Sequence, residues 1–522
     1  MATTIPEEWT RQQEAGKPVV IPLVKLNTNS GGDLDLDKAF TYIQNACNGG
    51  DIDTSTVDLA KLRRKIDWHI VPFMFLCYTL QFLDKVNLNY AAVMGLNKDL
   101  QLEGNDFSNA STAFFIAFLI AELPNGYILQ KLPAGKWLGF NVIAWGIATA
   151  CVAATTNYST LLITRIFIGI FEAAVAPCLM LIGSQYYTRS EQAPRFSLWY
   201  CGVGVAQIVG GLVSYGFQHV SPKASPNGWR LMFIVLGAVS VPIGALAGWM
   251  LPNTPMSAKW MTEAEKVTLL NHVSENRTGI ENPRFKASQV LELLLDVQIW
   301  LLTIITVLIS ISSGVITSYS STLIRNFGYT PEIAALLNMP SGIVSILSAL
   351  IAGFGVQFIN KGHRWIWLVA CCLCGILGGG LMSFAPSSNR AALLAGIYLV
   401  NAITATLIIL YQWTMANVAG RTKRAVASAL IAGSFSVGNI IGPQTFQAKD
   451  APQYRPAKII VLATQAGGAV VTVVLFAYYV WANRRKDRRQ RKLGIEGVQI
   501  DALEDTWGNL TDNENVEFRY VY

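Results

Sequence analysis

The stretch Leu161–Leu181, LLITRIFIGIFEAAVAPCLML, is free of charge except at Arg165 and Glu172. About 20 apolar residues in a helix rising 1.5 Å per residue span a hydrocarbon core roughly 30 Å thick, so this stretch reads as a membrane-crossing helix. A second such stretch, Pro72–Met94 (PFMFLCYTLQFLDKVNLNYAAVM), holds the opposite charges Asp84 and Lys85 side by side. An ionised group in hydrocarbon costs at least about 2.5–3.5 kcal/mol even on lenient insertion scales, so all four must face protein or a water-filled cavity. Arg165 and Glu172 are nearly two helical turns apart, which places them on one face, about 10 Å apart along the axis. A cation that can hold an anion, beside carboxylates that can take protons, is what a proton-coupled carrier of organic anions needs.

Outward from these stretches, the 522-residue chain is 52% hydrophobic and only 14% charged, where a soluble domain carries about 25% charged residues. Apolar runs long enough to span a bilayer recur along it, so the fold class is an all-α membrane protein. The net charge of +7 does not argue for a nucleic-acid partner, because the basic residues cluster beside the predicted spans. Seven of the eight cysteines (Cys77, Cys151, Cys178, Cys201, Cys371, Cys372, Cys374) fall inside apolar runs and Cys47 in the amino-terminal tail; they read as buried free thiols, with no disulfide or zinc spacing. The first apolar run begins near Trp68 after a long polar tail, so no cleavable signal peptide is expected and the first span serves as its own targeting signal.

Twelve spans are predicted, near 69–91, 107–130, 138–156, 160–184, 196–218, 230–251, 297–323, 333–358, 364–385, 391–413, 426–447 and 458–481. The longest interior break divides them six and six. The domains are then a cytoplasmic tail (1–66), a six-helix bundle (67–251), a cytoplasmic middle loop (252–296), a second bundle (297–482) and a basic cytoplasmic tail (483–522). Within the middle loop, FKASQVLELLLD is too short to span and is expected to be an interfacial helix. KLRRK precedes the first span, NRRKDRRQRK follows the last, and Lys131, Lys136, Arg189, Arg195, Lys361, Arg364, Arg421, Lys423 and Arg424 sit in the even-numbered loops. Excess Lys and Arg mark the cytoplasmic side, so both termini are expected there, in a multi-pass protein of the plasma membrane.

The two halves echo each other. GYILQKLPAGKW (Gly126–Trp137) follows the second span and GFGVQFINKGHRW (Gly353–Trp365) follows the eighth, sharing G-x-x-x-Q-x-x-x-x-G, basic residues and Trp. A duplicated bundle of this kind places its substrate site between the halves, near the midplane. With this organisation the chain resembles the major facilitator superfamily. LRRKIDWHIVPFMFLCYTLQFLDKVNLNYAAVMGL, AELPNGYILQKLPAGKWLG, YYTRSEQAPRFSLWYCG and GNIIGPQTFQAKDAPQYRPAK are similar to the fungal allantoate permease family, in its anion:cation symporter branch. The likeness runs from about Leu62 to Trp481. It departs from the superfamily's loop pattern G-x-L-A-D-R-x-G-R, which falls here on Gln130, Lys131 and Pro133. It departs also at Asp84-Lys85, where relatives often carry Asp-Arg. Lys keeps the charge but lacks the planar fork that grips a carboxylate with two bonds.

Arg165 is the leading anion anchor, able to hold a carboxylate through two parallel hydrogen bonds, and Lys85 is a second candidate. Asp84 and Glu172 are the proton-coupling candidates, roles that the resemblance also implies. A structural alternative stands beside this: Arg165, with Gly169 and Ala173, locks helices together through a salt bridge to Asp84 or Glu172. Glu122 is expected in a gating or structural pair with Lys131 or Lys136. Gln207, Ser318, Tyr319, Trp413 and Asn439 are candidate substrate contacts, against the alternative of helix–helix hydrogen bonds. Sequons occur at Asn109, Asn157, Asn276 and Asn509; Asn157 and Asn109 fall on the predicted outer side as glycosylation candidates.

The expectation is a monomeric transporter, not an enzyme, using a proton gradient and no cofactor or metal. It takes up a small organic anion, a carboxylate such as a vitamin or nitrogen-source acid, by alternating access. Efflux of an acidic metabolite and a non-transporting nutrient sensor are the competing readings.

Overall fold

The computed structural model describes residue 42 and residues 57–220, 225–274, 286–358, 363–451, 453–493, 511–514 and 518–522. Cys47, Asn276, Lys361 and Asn509 lie outside the described residues. The amino-terminal half comprises α1 (Leu59–Val93), α2 (Asp106–Lys131), α3 (Ala134–Val152), α4 (Tyr158–Glu172 and Val175–Tyr186), α5 (Arg189–Tyr200 and Gly202–Gln218) and α6 (Gly228–Met250). The second half comprises α7 (Val297–Asn326), α8 (Pro331–Leu337 and Met339–Phe358), α9 (Arg364–Phe384), α10 (Arg390–Val400 and Thr404–Asn417), α11 (Arg421–Gln444) and α12 (Arg455–Leu493). These helices run alternately up and down, so the start of α1 and the end of α12 share one face, called here the tail face; the other is the far face.

The sequence pattern underestimates α1, which starts at Leu59 rather than 69. Asp58 caps it, accepting from the Ala60 N–H at 2.8 Å. Leu62, Ile66 and Ile70 then form a buried stripe at helical spacing, so the charged segment ahead of the span stays helical by packing. Its polar face is held by ion pairs of Arg63 with Glu191 (2.8 Å), Lys65 with Glu265 (2.8 Å) and Asp67 with Arg195 (2.6 Å).

Among the described residues, eleven helices are long and apolar enough to span by themselves. The 19-residue α3, which carries Lys136 and Asn141, is not among them. It is held instead by close packing on α6: a Cβ at Gly139 would fall 2.6 Å from the Gly248 Cα, so the two backbones touch where only glycine fits. Short helices Glu263–Ser274 and Ala287–Leu295 occupy the connection between the halves, the second with Leu291, Leu294 and Leu295 exposed.

Four predicted single spans are broken helices. In α4 the break follows Glu172, and the backbone oxygen of Glu172 accepts from the Gln81 side chain of α1 at 3.0 Å. In α10 it falls on a 3₁₀ turn, Asn401–Ile403. Helix breaks at membrane depth persist only where neighbours re-satisfy the freed backbone groups, and these two flank the space between the halves.

At the far face the halves are tied together. Asn89 of α1 donates to Ser320 of α7 at 2.9 Å, and Asn338 of α8 donates to the Tyr90 hydroxyl at 3.0 Å. Asn105 donates to Gln447 (2.9 Å), and Gln444 to Thr112 (2.8 Å), joining α2 to the end of α11.

Candidate functional site

The four charges singled out by sequence meet as two crossed ion pairs between α1 and α4. Arg165 Nη1 lies 3.8 Å from Asp84 Oδ2, and Lys85 Nζ lies 3.2 Å from Glu172 Oε2. Burial is nearly complete: Glu172 is 0%, Arg165 2% and Asp84 3% exposed. Antiparallel α1 and α4 explain the crossing, since consecutive residues on α1 reach opposite ends of a seven-residue step on α4. Asp84 Oδ1 also accepts from the Thr149 hydroxyl of α3 at 2.8 Å. The cations rest on aromatic rings of α2, the Arg165 guanidinium 4.7 Å from the Phe114 centroid and Lys85 Nζ 5.1 Å from that of Phe118.

Polar capacity is left over. Arg165 Nε and Nη1, Asp84 Oδ2, both Glu172 oxygens and both polar atoms of the Asn87 side chain are buried without a hydrogen-bond partner. The ion pairs compensate the charged groups by charge but not by hydrogen-bond geometry, and Asn87 has neither kind of compensation. Buried polar atoms in this condition are costly and mark sites of function more often than of stability.

Two cavities meet at Lys85. A small one, about 240 Å³ counting its opening, is lined by Lys85, Ser111, Phe114, Arg165, Thr317 and Ser318. The larger, about 990 Å³ counting its opening, runs from Lys85 between the halves toward the tail face. Its polar lining includes Gln81, Lys85, Glu122, Gln207, Asn401 and Thr404, among aromatic walls of Tyr78, Trp199, Tyr200, Tyr411 and Phe435. Gln207 of α5 donates to Asn401 of α10 at 3.1 Å, bridging the halves across the cavity.

Two six-helix halves, tied together at one face, surround a central cavity whose aromatic and aliphatic walls carry a few polar groups. The family model of the Major Facilitator Superfamily matches residues 74–443. The chain belongs to the major facilitator superfamily. Within it the relatives are fungal permeases. The chain is 36% identical over 464 residues to the "Thiamine pathway transporter THI73" of Saccharomyces cerevisiae, covering 88% of this chain and 86% of the relative. It is 30% identical over 496 residues to the "Allantoate permease" of the same yeast, covering 93% and 90%. Among solved structures, the superfamily's proton:xylose symporter XylE superposes with a TM-score of 0.62 at 16% identity, covering 78% of this chain and 96% of that one. Membership makes the chain a membrane transporter and not an enzyme.

Within this architecture the residues singled out by sequence take different places. Arg165 lines the small cavity only, and Lys85 is the cation that reaches the large one, because Phe114 and Asp84 hold the guanidinium aside. Glu122 pairs with neither Lys131 nor Lys136, which are both exposed; it lines the large cavity, with Oε2 buried and unpartnered. Trp413 is turned into the second half, its indole N–H donating to the Val521 carbonyl at 2.9 Å. Asn439 bonds back to the Phe435 carbonyl at 2.8 Å, with Gly314 of α7 packed against its Cα. Tyr319 belongs to the far-face closure, stacked on Phe446 at 4.2 Å and hydrogen-bonded to Ser108. Gln207 does line the cavity. Asn157 caps α4 and Asn109 accepts from Gln444 at 3.2 Å; both are exposed on the far face.

Sequence reading passed over Gln81, Tyr78, Tyr200, Asn401 and Tyr411. Gln81 had a usable signal, lying one turn before Asp84 and Lys85 on the same helix face. Asn401 is a lone amide in LVNAITA at the point where α10 breaks.

Proposed function

We propose that this transporter imports a small organic anion together with protons, with its tail face toward the cytoplasm. The observation that carries the reading is the buried quartet: two cations and two carboxylates, balanced in charge, with Lys85 shared between the quartet and the cavity. A substrate carboxylate that binds Lys85 competes with Glu172. Its arrival leaves one buried negative charge too many, and a proton on Glu172 removes it. Substrate and proton thus favour each other's binding, which is the thermodynamic content of symport. Asp84, held by Arg165 and Thr149, is the steadier carboxylate of the two. Glu122, on the path toward the tail face, is positioned to pass the proton onward. The positive-inside pattern supports the orientation, and the fungal relatives support a plasma-membrane location.

One observation favours a variant of this reading. Glu122 and Lys85 both line the large cavity, so a substrate carrying a cationic or N–H-donating group beside its carboxylate would find a partner for each group.

Uptake of a panel of labelled carboxylates by cells expressing the chain, at pH 5 and pH 7, tests the proposal. Accumulation at pH 5 that collapses with a protonophore is expected. Loss of preloaded substrate with no uptake at either pH would assign efflux, and binding without flux would assign a sensor. Either result would overturn import.

A further inference from the structure

The most densely bonded cluster outside the cavity lies at the tail face of the second half. Lys423, at the start of α11, is completely buried and is held by three carboxylates: Glu292 (2.9 Å), Asp296 (2.8 Å) and Asp512 (2.7 Å). Glu292 and Asp296 belong to the connection ahead of α7, whereas Asp512 comes from the carboxy-terminal segment. A buried Lys needs paired, hydrogen-bonded carboxylates to stay charged, and Asp512 is itself 0% exposed. Its second oxygen accepts from Gln298 (2.9 Å) and from the Tyr520 hydroxyl (2.8 Å).

The last residues are bonded as a strand would be, although to side chains. Asn483 of α12 exchanges two bonds with the Tyr520 backbone, both at 2.9 Å. Asn417, at the end of α10, accepts from Val521 N–H at 2.7 Å and donates to Val521 O at 2.8 Å. Trp413 shares that carbonyl, Tyr520 stacks on Tyr479 at 5.2 Å, and Arg519 pairs with Asp487 at 3.0 Å. Amide side chains that read both polar atoms of a foreign backbone residue are a recognition device rather than incidental surface contact.

From this geometry we infer that the tail face of the second half is a docking groove occupied by the chain's own residues 511–514 and 518–522, and that docking sets the position of the cavity wall. The link is α10. Its tailward piece, Thr404–Asn417, hangs from the 3₁₀ turn at Asn401–Ile403 and presents Thr404, Thr406, Leu407, Leu410 and Tyr411 to the cavity. Trp413 and Asn417 of the same piece are the residues that grip Val521. The piece is therefore hinged at the cavity's centre and fastened at the tail face by the segment. Undocking frees the fastened end, and the Tyr411 wall moves with it. This inference requires only a transporter with this fold, whatever the substrate.

The test uses the full chain carrying Val521→Cys, with modification at that position followed by mass spectrometry in membrane vesicles that expose the tail face to a maleimide. Slow labelling is expected in the otherwise unaltered chain. Labelling at least tenfold faster is expected when Asp512→Asn or Asn417→Ala is added. Tyr520→Phe, which removes one hydroxyl and leaves the packing, serves as the milder variant should either of those fail to reach the membrane; about threefold faster labelling is expected. Trypsin cleavage at Arg519 in the unaltered chain should be correspondingly slow. The same variants should change transport turnover by at least threefold at saturating substrate. Rapid labelling of the unaltered chain would overturn the docking. Faster labelling with unchanged turnover would overturn the coupling to α10.

Discussion

The pairing of Lys85 with Glu172 makes a quantitative claim. At 3.2 Å, two unit charges attract by about 5 kcal/mol at the effective dielectric of roughly 20 that describes protein sites. Desolvation offsets part of this, and stranding one member of a buried pair costs about 3–5 kcal/mol because its partner loses compensation. Lys85→Met and Glu172→Gln should therefore each destabilise the protein, by about 3 kcal/mol and about 2 kcal/mol respectively, the amide being neutral and able to hydrogen-bond. The double variant strands nothing, so its loss should fall short of the sum by at least about 2 kcal/mol. Equilibrium unfolding of the four proteins in mixed micelles gives this coupling. Transport separates the roles. Lys85→Met should abolish substrate binding in both backgrounds. Glu172→Gln, which leaves Lys85 free for the substrate, should retain exchange while losing accumulation driven by the proton gradient. Additivity within about 0.5 kcal/mol would show that the pair does not act as a unit. Normal accumulation by Glu172→Gln would remove that carboxylate from proton coupling.

Thr149→Val removes the 2.8 Å bond to Asp84; loss of a hydrogen bond to a charged group is worth about 1.5–3 kcal/mol, which should be read as lowered stability in equilibrium unfolding in mixed micelles. Gly204 and Gly342 meet where α5 crosses α8, so a methyl on either abuts the other's carbonyl; Gly204→Ala should slow transport at least tenfold while melting shows only the about 1–3 kcal/mol of overpacking. Glu191, outside the membrane-spanning stretch that begins at Pro194, is pushed up by burial but held low overall, at about 2, by His272, the Thr188 N–H and Arg63. A carboxyl lowered on folding from 4.5 contributes stability above its unfolded value and loses it as pH falls toward 2, so the melting gap between the protein and Glu191→Gln should be present at about pH 5 and close as pH falls below it.

What the sequence made legible was whatever hydrocarbon forbids. Apolar length located the spans, and the cost of charge in lipid picked out Asp84, Lys85, Arg165 and Glu172, which the fold does bring together. That all four come within pairing distance was not legible, because the rotation of α1 against α4 is set by packing. Nor was the division of labour between the cations: Arg165 is the stronger ligand by chemistry, yet its place between Phe114 and Asp84 leaves Lys85 facing the large cavity. The same limit explains Trp413 and Asn439. A polar group on a span must face protein, but that rule does not distinguish the space between the halves from the interior of one half. Trp413 points to the interior because its partner lies 108 positions away, in a tail that hydropathy reads as solvent-exposed. Glu122 shows the converse: assigned by its position near a basic loop, it has no cation there and opens onto the cavity instead. For a transporter of this kind, the lipid-facing half of the problem is written in composition. The cavity-facing half depends on which of several permitted polar contacts packing selects.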